Sequence, residues 1–210
     1  MCQPPTKEDR LVRIIIIGGA GTIGKAVSAA LSDRHELVVA GRRSGSVHVD
    51  IQSRDSVRDM YRKVGTFDAV VCTGGEAYFG PFDTMSEQDL ALGIESKLLG
   101  QIRLVLLGQS LISEGGSFTL ISGYVFDDPL PEATSFAVAN GGVEGFVRAA
   151  ALSLRRDLRI NAVSPGLAED SYNQFAPFNP GRIPVPMHTI GSAFVRSVEG
   201  SRTGEIIRAW

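Results

Sequence analysis

The sequence predicts an α/β fold of the doubly wound kind, a parallel sheet with helices on both faces. Three observations carry that expectation. Short β-branched apolar runs alternate with longer segments of helical period. The first run, Ile14 to Ile17, breaks into Gly18-Gly19-Ala20-Gly21-Thr22-Ile23-Gly24 and reopens as a helical pattern, as a buried strand does when it feeds a phosphate-binding turn. No repeat, low-complexity stretch or linker divides the 210 residues, of which 43% are hydrophobic, so one substantial core is expected.

The elements follow in order. Val12 to Ile17 reads as the first strand, with a helix beginning near Thr22. Leu37 to Ala40 reads as the second strand, and the next helical pattern starts near Arg54 with Ser53 placed to cap it. Ala69 to Cys72 is the third strand, followed by a helix near Glu87 where Ser86 and Asp89 have capping-box spacing. Ser117 to Ile121, a helix near Ser135, Ile160 to Val163, a helix near His188 and Glu205 to Arg208 complete the alternation. Right-handed crossovers arrange such strands into a doubly wound sheet, whose ligands bind beyond the carboxyl ends of the strands. Residues 1–10, with prolines and mixed charges, are expected to form a frayed tail before a domain at 11–210.

Composition excludes several classes of function. A formal net charge of −2 with scattered Lys and Arg offers no basic field for a nucleic acid. No apolar run approaches membrane-spanning length, and the N-terminus lacks the apolar core of a signal peptide. The two cysteines, Cys2 and Cys72, suggest neither a disulfide framework nor a metal site. A cytoplasmic protein acting on a small molecule is the expectation.

The strand ends carry the chemistry. Gly18 accepts a backbone angle that a Cβ forbids, Gly21 lets a pyrophosphate approach the main chain, and Gly24 lets the helix pack on the strand. The N–H groups at Thr22 and Ile23 open that helix and attract the anion. After the second strand stand Arg42 and Arg43, where an NAD site would place an acid. Two guanidiniums there suit the 2′-phosphate of NADP(H), the alternative being a solvated basic turn. Asp50, followed by Ile51, either accepts from the adenine amino group or caps the next helix. Thr73, Gly74 and Gly75 would let a ribose and nicotinamide lie on the backbone, and Pro165-Gly166 forms a rigid corner bordering the same cleft.

With these pieces in place, the chain resembles the short-chain dehydrogenase/reductase family over nearly its whole length. The matching segments are Gly18 to Gly24, Asp50-Ile51, Cys72 to Gly75, Leu98 to Gly100, Asn161 to Gly166 and Thr203 to Ile207. The resemblance implies a Rossmann-type NADP-binding domain, shortened because the family's second helix is nearly absent between Arg43 and Val47. It also implies an Asn-Ser-Tyr-Lys active site, and there this chain departs. Phe136 holds the Tyr place and Asn140 the Lys place, and the family interval to Ser falls on Gly123, so Ser122 serves only if the loop is one residue longer. Lys97 stands where the family has its Asn.

Lys97 and Asn140 look like a reciprocal exchange, with Lys97 reaching into the same polar pocket; the alternative is an exposed lysine and a satisfied core amide. Without the phenol a different proton donor is needed, and Tyr124 is the first substitute, ahead of Tyr78, Ser135, Tyr172 and His188. Tyr172, Phe175 and Phe178 lie in a proline-stiffened segment that reads as a substrate lid and suits an apolar or aromatic substrate. The apolar helices from Glu87 and Ser135 suit burial against a second subunit, and the resemblance implies a homodimer or homotetramer. The expected function is an NADP(H)-binding oxidoreductase acting on a carbonyl or activated C=C bond with a non-standard proton donor. The alternatives are a redox-neutral isomerase or cyclase, and a non-catalytic NADP(H) sensor.

Overall fold

Four consecutive isoleucines give the sheet its centre. In the computed structural model, which describes residues 11–210, they form most of β1 (Arg13–Ile17). The tail expected at 1–10 lies outside the described residues. Ile15 and Ile17 point into one apolar layer while Ile14 and Ile16 point into the other, because successive side chains of a strand alternate faces. A strand buried on both sides in this way must be covered on both sides.

The chain then supplies the covers. Helix α1 (Thr22–Leu31) follows β1, and β2 (Glu36–Gly41) pairs with β1 in parallel. A tight turn replaces any second helix and leads to β3 (Val47–His48) on the sheet edge. Helix α2 (Arg54–Val64) carries the chain back across the sheet to β4 (Ala69–Cys72), which pairs with the other side of β1. A long helical run follows: α3 (Glu87–Leu92), a π-helical segment (Gly93–Leu99) and α4 (Gly100–Gly108). Next come β5 (Ser117–Ile121), α5 (Thr134–Ala151), β6 (Arg159–Pro165), the short α6 (Tyr172–Phe175), α7 (Met187–Glu199) and β7 (Ile206–Ala209). The order β3-β2-β1-β4-β5-β6-β7 is parallel throughout, the doubly wound Rossmann-like arrangement. Val57 and Met60 of α2, Leu104 of α4 and Val143 of α5 fill one layer. Val27 of α1 with Ile190 and Phe194 of α7 fill the other.

Local signals account for the helix starts. Ser53 Oγ accepts from the Ser56 N–H at 3.2 Å, and Ser86 with Asp89 forms a complete capping box. Two features depart from the expected elements. The edge strand β3, two residues long, is an addition to the expected strands and lies in the short apolar alternation Val47-His48-Val49-Asp50-Ile51. The π-helical segment is the other: Gly100 N–H donates five residues back, to Glu95 O, a widened turn with no sequence signature of its own.

At the head of α1, Gly18 adopts φ +78° and its N–H donates to Ala40 O at 2.8 Å, while Gly21 N–H returns to Gly18 O at 2.9 Å. A Cβ on Gly24 would run into Gly18 O and lie 2.6 Å from Gly19 Cα. Backbone cannot give way as a side-chain tip can. Gly24→Ala is therefore expected to lower unfolding free energy by about 1–3 kcal/mol, read as a lower denaturation midpoint, whereas Gly145→Ala, where nothing lies within 4 Å of the added Cβ, should be nearly neutral or stabilising.

Candidate functional site

Two clefts lie side by side at the carboxyl edge of the sheet, near the tips of β1 and β4. The first, of about 190 Å³, is lined by Gly18, Gly41, Arg42, Asp50, Gly74 and Gly75 among others. Helix α1 aims its N-terminus at this edge with neither a side-chain cap nor an acidic residue in its first turn, leaving its N–H dipoles open to an anion. Thr73 ties the two strand tips together, donating from both N–H (2.9 Å) and Oγ1 (3.0 Å) to Ile17 O.

Arg42 reaches over this cleft and pairs with Glu76, a partner that no sequence motif announced. Arg43 is exposed beside it. Asp50 lines the cleft and accepts from Gln52 N–H at 3.0 Å. Of the two readings of Asp50, the cap of α2 falls instead to Ser53. Ile51 lies beneath the helical run, where a Cβ on Gly100 would be 2.8 Å from its Cγ1.

The second cleft is an apolar cavity of about 250 Å³ whose walls include Ile23, Phe79, Ile121, Phe136, Leu167 and Phe175, with Thr73, Pro165 and Gly166 on its border. Lys97, Ser122, Tyr124, Asn140 and Ser171 add polar groups to its wall. Lys97 projects from the π-helical segment and is only 6% exposed. Its Nζ donates to Ser122 O at 3.4 Å and forms no ion pair among the described residues. Burial pushes this amine down from its ordinary value of 10.5 to about 8, against a smaller opposing effect of Cys72. Burial also pushes the Cys72 thiol up to about 11. Gln101, fully buried, holds the helical run to β5 by donating to Lys97 O (2.7 Å) and Ile121 O (3.0 Å) and accepting from Ile121 N–H (2.8 Å).

Asn140 sits on α5 opposite. Its Nδ2 donates to Gly123 O at 3.3 Å, and its buried Oδ1 has no partner. A Cβ at position 123 would lie 3.0 Å from that Nδ2, so the glycine at 123 and the asparagine at 140 fit one another. Lys97 and Asn140 thus contact the carbonyls of adjacent residues, Ser122 and Gly123, at the wall of one cavity.

Two expected hydroxyls are committed elsewhere. Ser122 Oγ donates to Glu144 Oε1 at 2.9 Å, and fully buried Glu144 in turn meets Arg148 at 3.1 Å and Arg208 at 3.9 Å. Tyr124 OH donates to Asn179 Oδ1 at 2.7 Å, with the Arg182 guanidinium 4.2 Å from the ring centroid. Burial raises the Tyr124 pKa. Its ring lines the cavity but its proton is engaged with the segment beyond α6. Glu144 and Asn179 escape a sequence reading because each partner lies far along the chain.

The aromatic segment divides. Phe175 lines the cavity and meets Phe79 edge to face at 5.5 Å, while Phe178 stacks edge to face on Phe79 at 4.9 Å and faces an outer groove. Tyr172 is 38% exposed and lies outside the cavity lining. Phe79, not Tyr172, is the third ring of the cluster. Among the described residues no group of three His, Cys, Asp or Glu could hold a metal ion, and no helix is long and apolar enough to cross a membrane.

Residues 18–181 match a family model described as enoyl-(acyl carrier protein) reductase. The chain is 26% identical over 188 residues to a 3-oxoacyl-(acyl carrier protein) reductase of Thermotoga maritima, spanning 78% of this chain and 76% of the relative. It is 25% identical over 177 residues to the cyclic-di-GMP-binding biofilm dispersal mediator protein of Escherichia coli, spanning 76% and 74%. A solved structure of the protein lin1944 from Listeria innocua is 43% identical, with TM-score 0.93 over 95% of this chain and all (100%) of that one. A small-chain dehydrogenase solved in complex with NADPH shares the fold at TM-score 0.83 and 24% identity, covering 95% and 96%.

The buried ammonium has a measurable cost. Lys97 is harder to charge in the folded protein than in the unfolded chain, so the penalty is full below about pH 8, shrinks as pH rises, and vanishes above 10.5. At pH 7 it amounts to about 3 kcal/mol. Lys97→Met is expected to gain most of that in denaturant unfolding at pH 7 and little at pH 10; an equal difference at both pH values would show that the amine is not desolvated.

Proposed function

The chain belongs to the short-chain dehydrogenase/reductase family, and from that premise we propose that it is an NADP(H)-dependent oxidoreductase acting on a carbonyl or activated C=C bond of a small apolar or aromatic substrate. The observation that carries this reading is the adjacency of a cleft bounded by the glycine turn and Arg42 to an apolar cavity containing a buried lysine and an unpartnered amide oxygen: Thr73 and Lys97 line the second where their chain neighbours Gly74 and Ser96 line the first. The residues fit the nucleotide. Gly18, Gly21 and Gly24 keep the backbone approachable, and the uncapped head of α1 offers N–H groups for a pyrophosphate. Arg42 and Arg43 suit a 2′-phosphate, Thr73 to Gly75 and Pro165-Gly166 suit the nicotinamide half, and Asn140 Oδ1 awaits a donor such as a ribose hydroxyl.

When bound, the nicotinamide supplies or accepts hydride. The protein's own part is to exclude water and to hold a proton. The rings of Phe79, Phe136 and Phe175 do the first. Lys97 does the second: with Ser122 and Tyr124 hydroxyls already engaged and a phenyl ring at Phe136, its ammonium is the least encumbered acid in the cavity. A proton donor with a pKa of about 8 is well matched to neutral pH. Tyr124 serves as donor only after its hydroxyl leaves Asn179. That same engagement favours, as a second reading, an NADP(H) sensor or a redox-neutral enzyme that keeps the pocket without the hydride step. Exposed Leu99, Leu106 and Val138 on the helical run and α5 support a homodimer or homotetramer.

Fluorescence titration with NADPH and NADH tests the cofactor half: NADPH is expected to bind tighter, and Arg42→Ala to weaken NADPH by about tenfold while leaving NADH little changed. No NADPH binding would remove both the oxidoreductase and the sensor readings. Loss of nicotinamide absorbance across aldehydes, ketones and enones tests turnover. Reductive turnover is expected to fall as pH rises through about 8, and to drop by about 10²-fold or more in Lys97→Met but only a few fold in Tyr124→Phe. The reverse ranking would return the proton to Tyr124.

A further inference from the structure

A lysine with no ion-pair partner among the described residues, at the wall of an apolar cavity, has a second chemistry open to it. We propose that Lys97 is also a nucleophile, and that its amine captures a small apolar aldehyde or ketone as a reversible imine. This rests on the reading of the cavity as the substrate site, and it requires no nucleotide.

The geometry supports it at each step. The stem of Lys97 is fixed from below, since a Cβ on Gly75 would lie 2.8 Å from Lys97 Cα, and from behind, by Gln101 on Lys97 O. The amine makes one long hydrogen bond, 3.4 Å to Ser122 O, and so has little to lose on deprotonation. The thiol of Cys72, pushed up to about 11 by its own burial, supplies no thiolate at neutral pH to hold the proton on. The apolar walls and the volume of about 250 Å³ admit a small carbonyl compound and disfavour water.

In the reaction the neutral amine attacks the carbonyl carbon, a C–N bond forms, and the carbonyl electron pair moves to oxygen. The nitrogen sheds a proton and the oxygen gains one, giving a carbinolamine. Asn140 Oδ1, buried and unpartnered, is the acceptor available to its hydroxyl. The nitrogen lone pair then expels that hydroxyl, which departs as water with a second proton, and the C=N bond is formed. Nothing is oxidised or reduced, and added water reverses the sequence.

Trapping decides the matter. The chain has only four lysines, Lys7, Lys25, Lys63 and Lys97, so the site of modification is easily mapped. The wild-type protein, without nucleotide at pH 7, is incubated with 3-phenylpropanal and sodium cyanoborohydride, which reduces an imine to a stable secondary amine, and digested for peptide mass analysis. Lys97, with about a tenth of its amine neutral at pH 7, is expected to be alkylated at least tenfold faster than Lys25 or Lys63. Lys97→Arg keeps the charge but forms no imine, and should leave only the slow background, with circular dichroism confirming its fold. Alkylation of Lys25 and Lys63 at a rate equal to or above that of Lys97 overturns the proposal. An inert Lys97 in a protein that binds NADPH removes the imine and leaves the nucleotide reading; a reactive Lys97 in a protein that binds none does the opposite.

Discussion

The functional edge depends on the contact between the tips of β1 and β4. After β3 the chain crosses back over β1 to begin β4 on its other side, so the connections leaving these two neighbours run to opposite faces and open a crevice between them. The crevice is usable only because both tips are bare. A Cβ on Gly18 would lie 3.1 Å from Gly74 N and from Thr73 Oγ1, and Thr73 in turn holds Ile17 O with two hydrogen bonds. Backbone faces backbone there. The floor of the crevice between the tips is therefore built from main chain, whose position is set by the sheet, and side chains stand around it.

Those surrounding side chains form fitted sets. Gly123 has no Cβ where Asn140 needs room, and Gly75 has none where the Lys97 stem passes. Asn140 and Lys97 each have a glycine neighbour that leaves them room. Asn140 Oδ1, one of several buried side-chain polar atoms without a partner among the described residues, and the weakly bonded amine of Lys97 belong to the same cavity. A protein that keeps an uncompensated buried ammonium gives up stability to do so, and such local conflicts cluster where a site has work to perform.

What was legible in the sequence was local. The isoleucine run, the glycine turn and the caps at Ser53 and Ser86 act within a few residues, and each is found where its pattern lies. The strand-end residues Arg42, Asp50, Thr73 and Pro165 do reach the crevice, because parallel topology carries every strand end to one edge. What stayed hidden was non-local. Ser122 meets Glu144 across 22 positions, Arg42 meets Glu76 across 34, and Tyr124 meets Asn179 across 55. A residue type states what a side chain is able to bond; only packing states which of several candidates it does bond. Two hydroxyls placed by sequence in catalytic roles are spoken for by such partners.

The π-helical turn around Lys97 has a wider meaning. A regular helix admits no extra residue without rotating everything downstream by about 100°, which would turn the apolar face of α4 away from the sheet. A widened turn absorbs the surplus within itself, so Leu104 and Gln101 stay in phase with β5 while the side chains above are dealt out anew. Here the reading frame of the pocket is separable from the reading frame of the core. A turn of this kind takes up one residue more or fewer without a new register for the helix beyond it, so the group that faces the cavity is open to change while the core packing is kept.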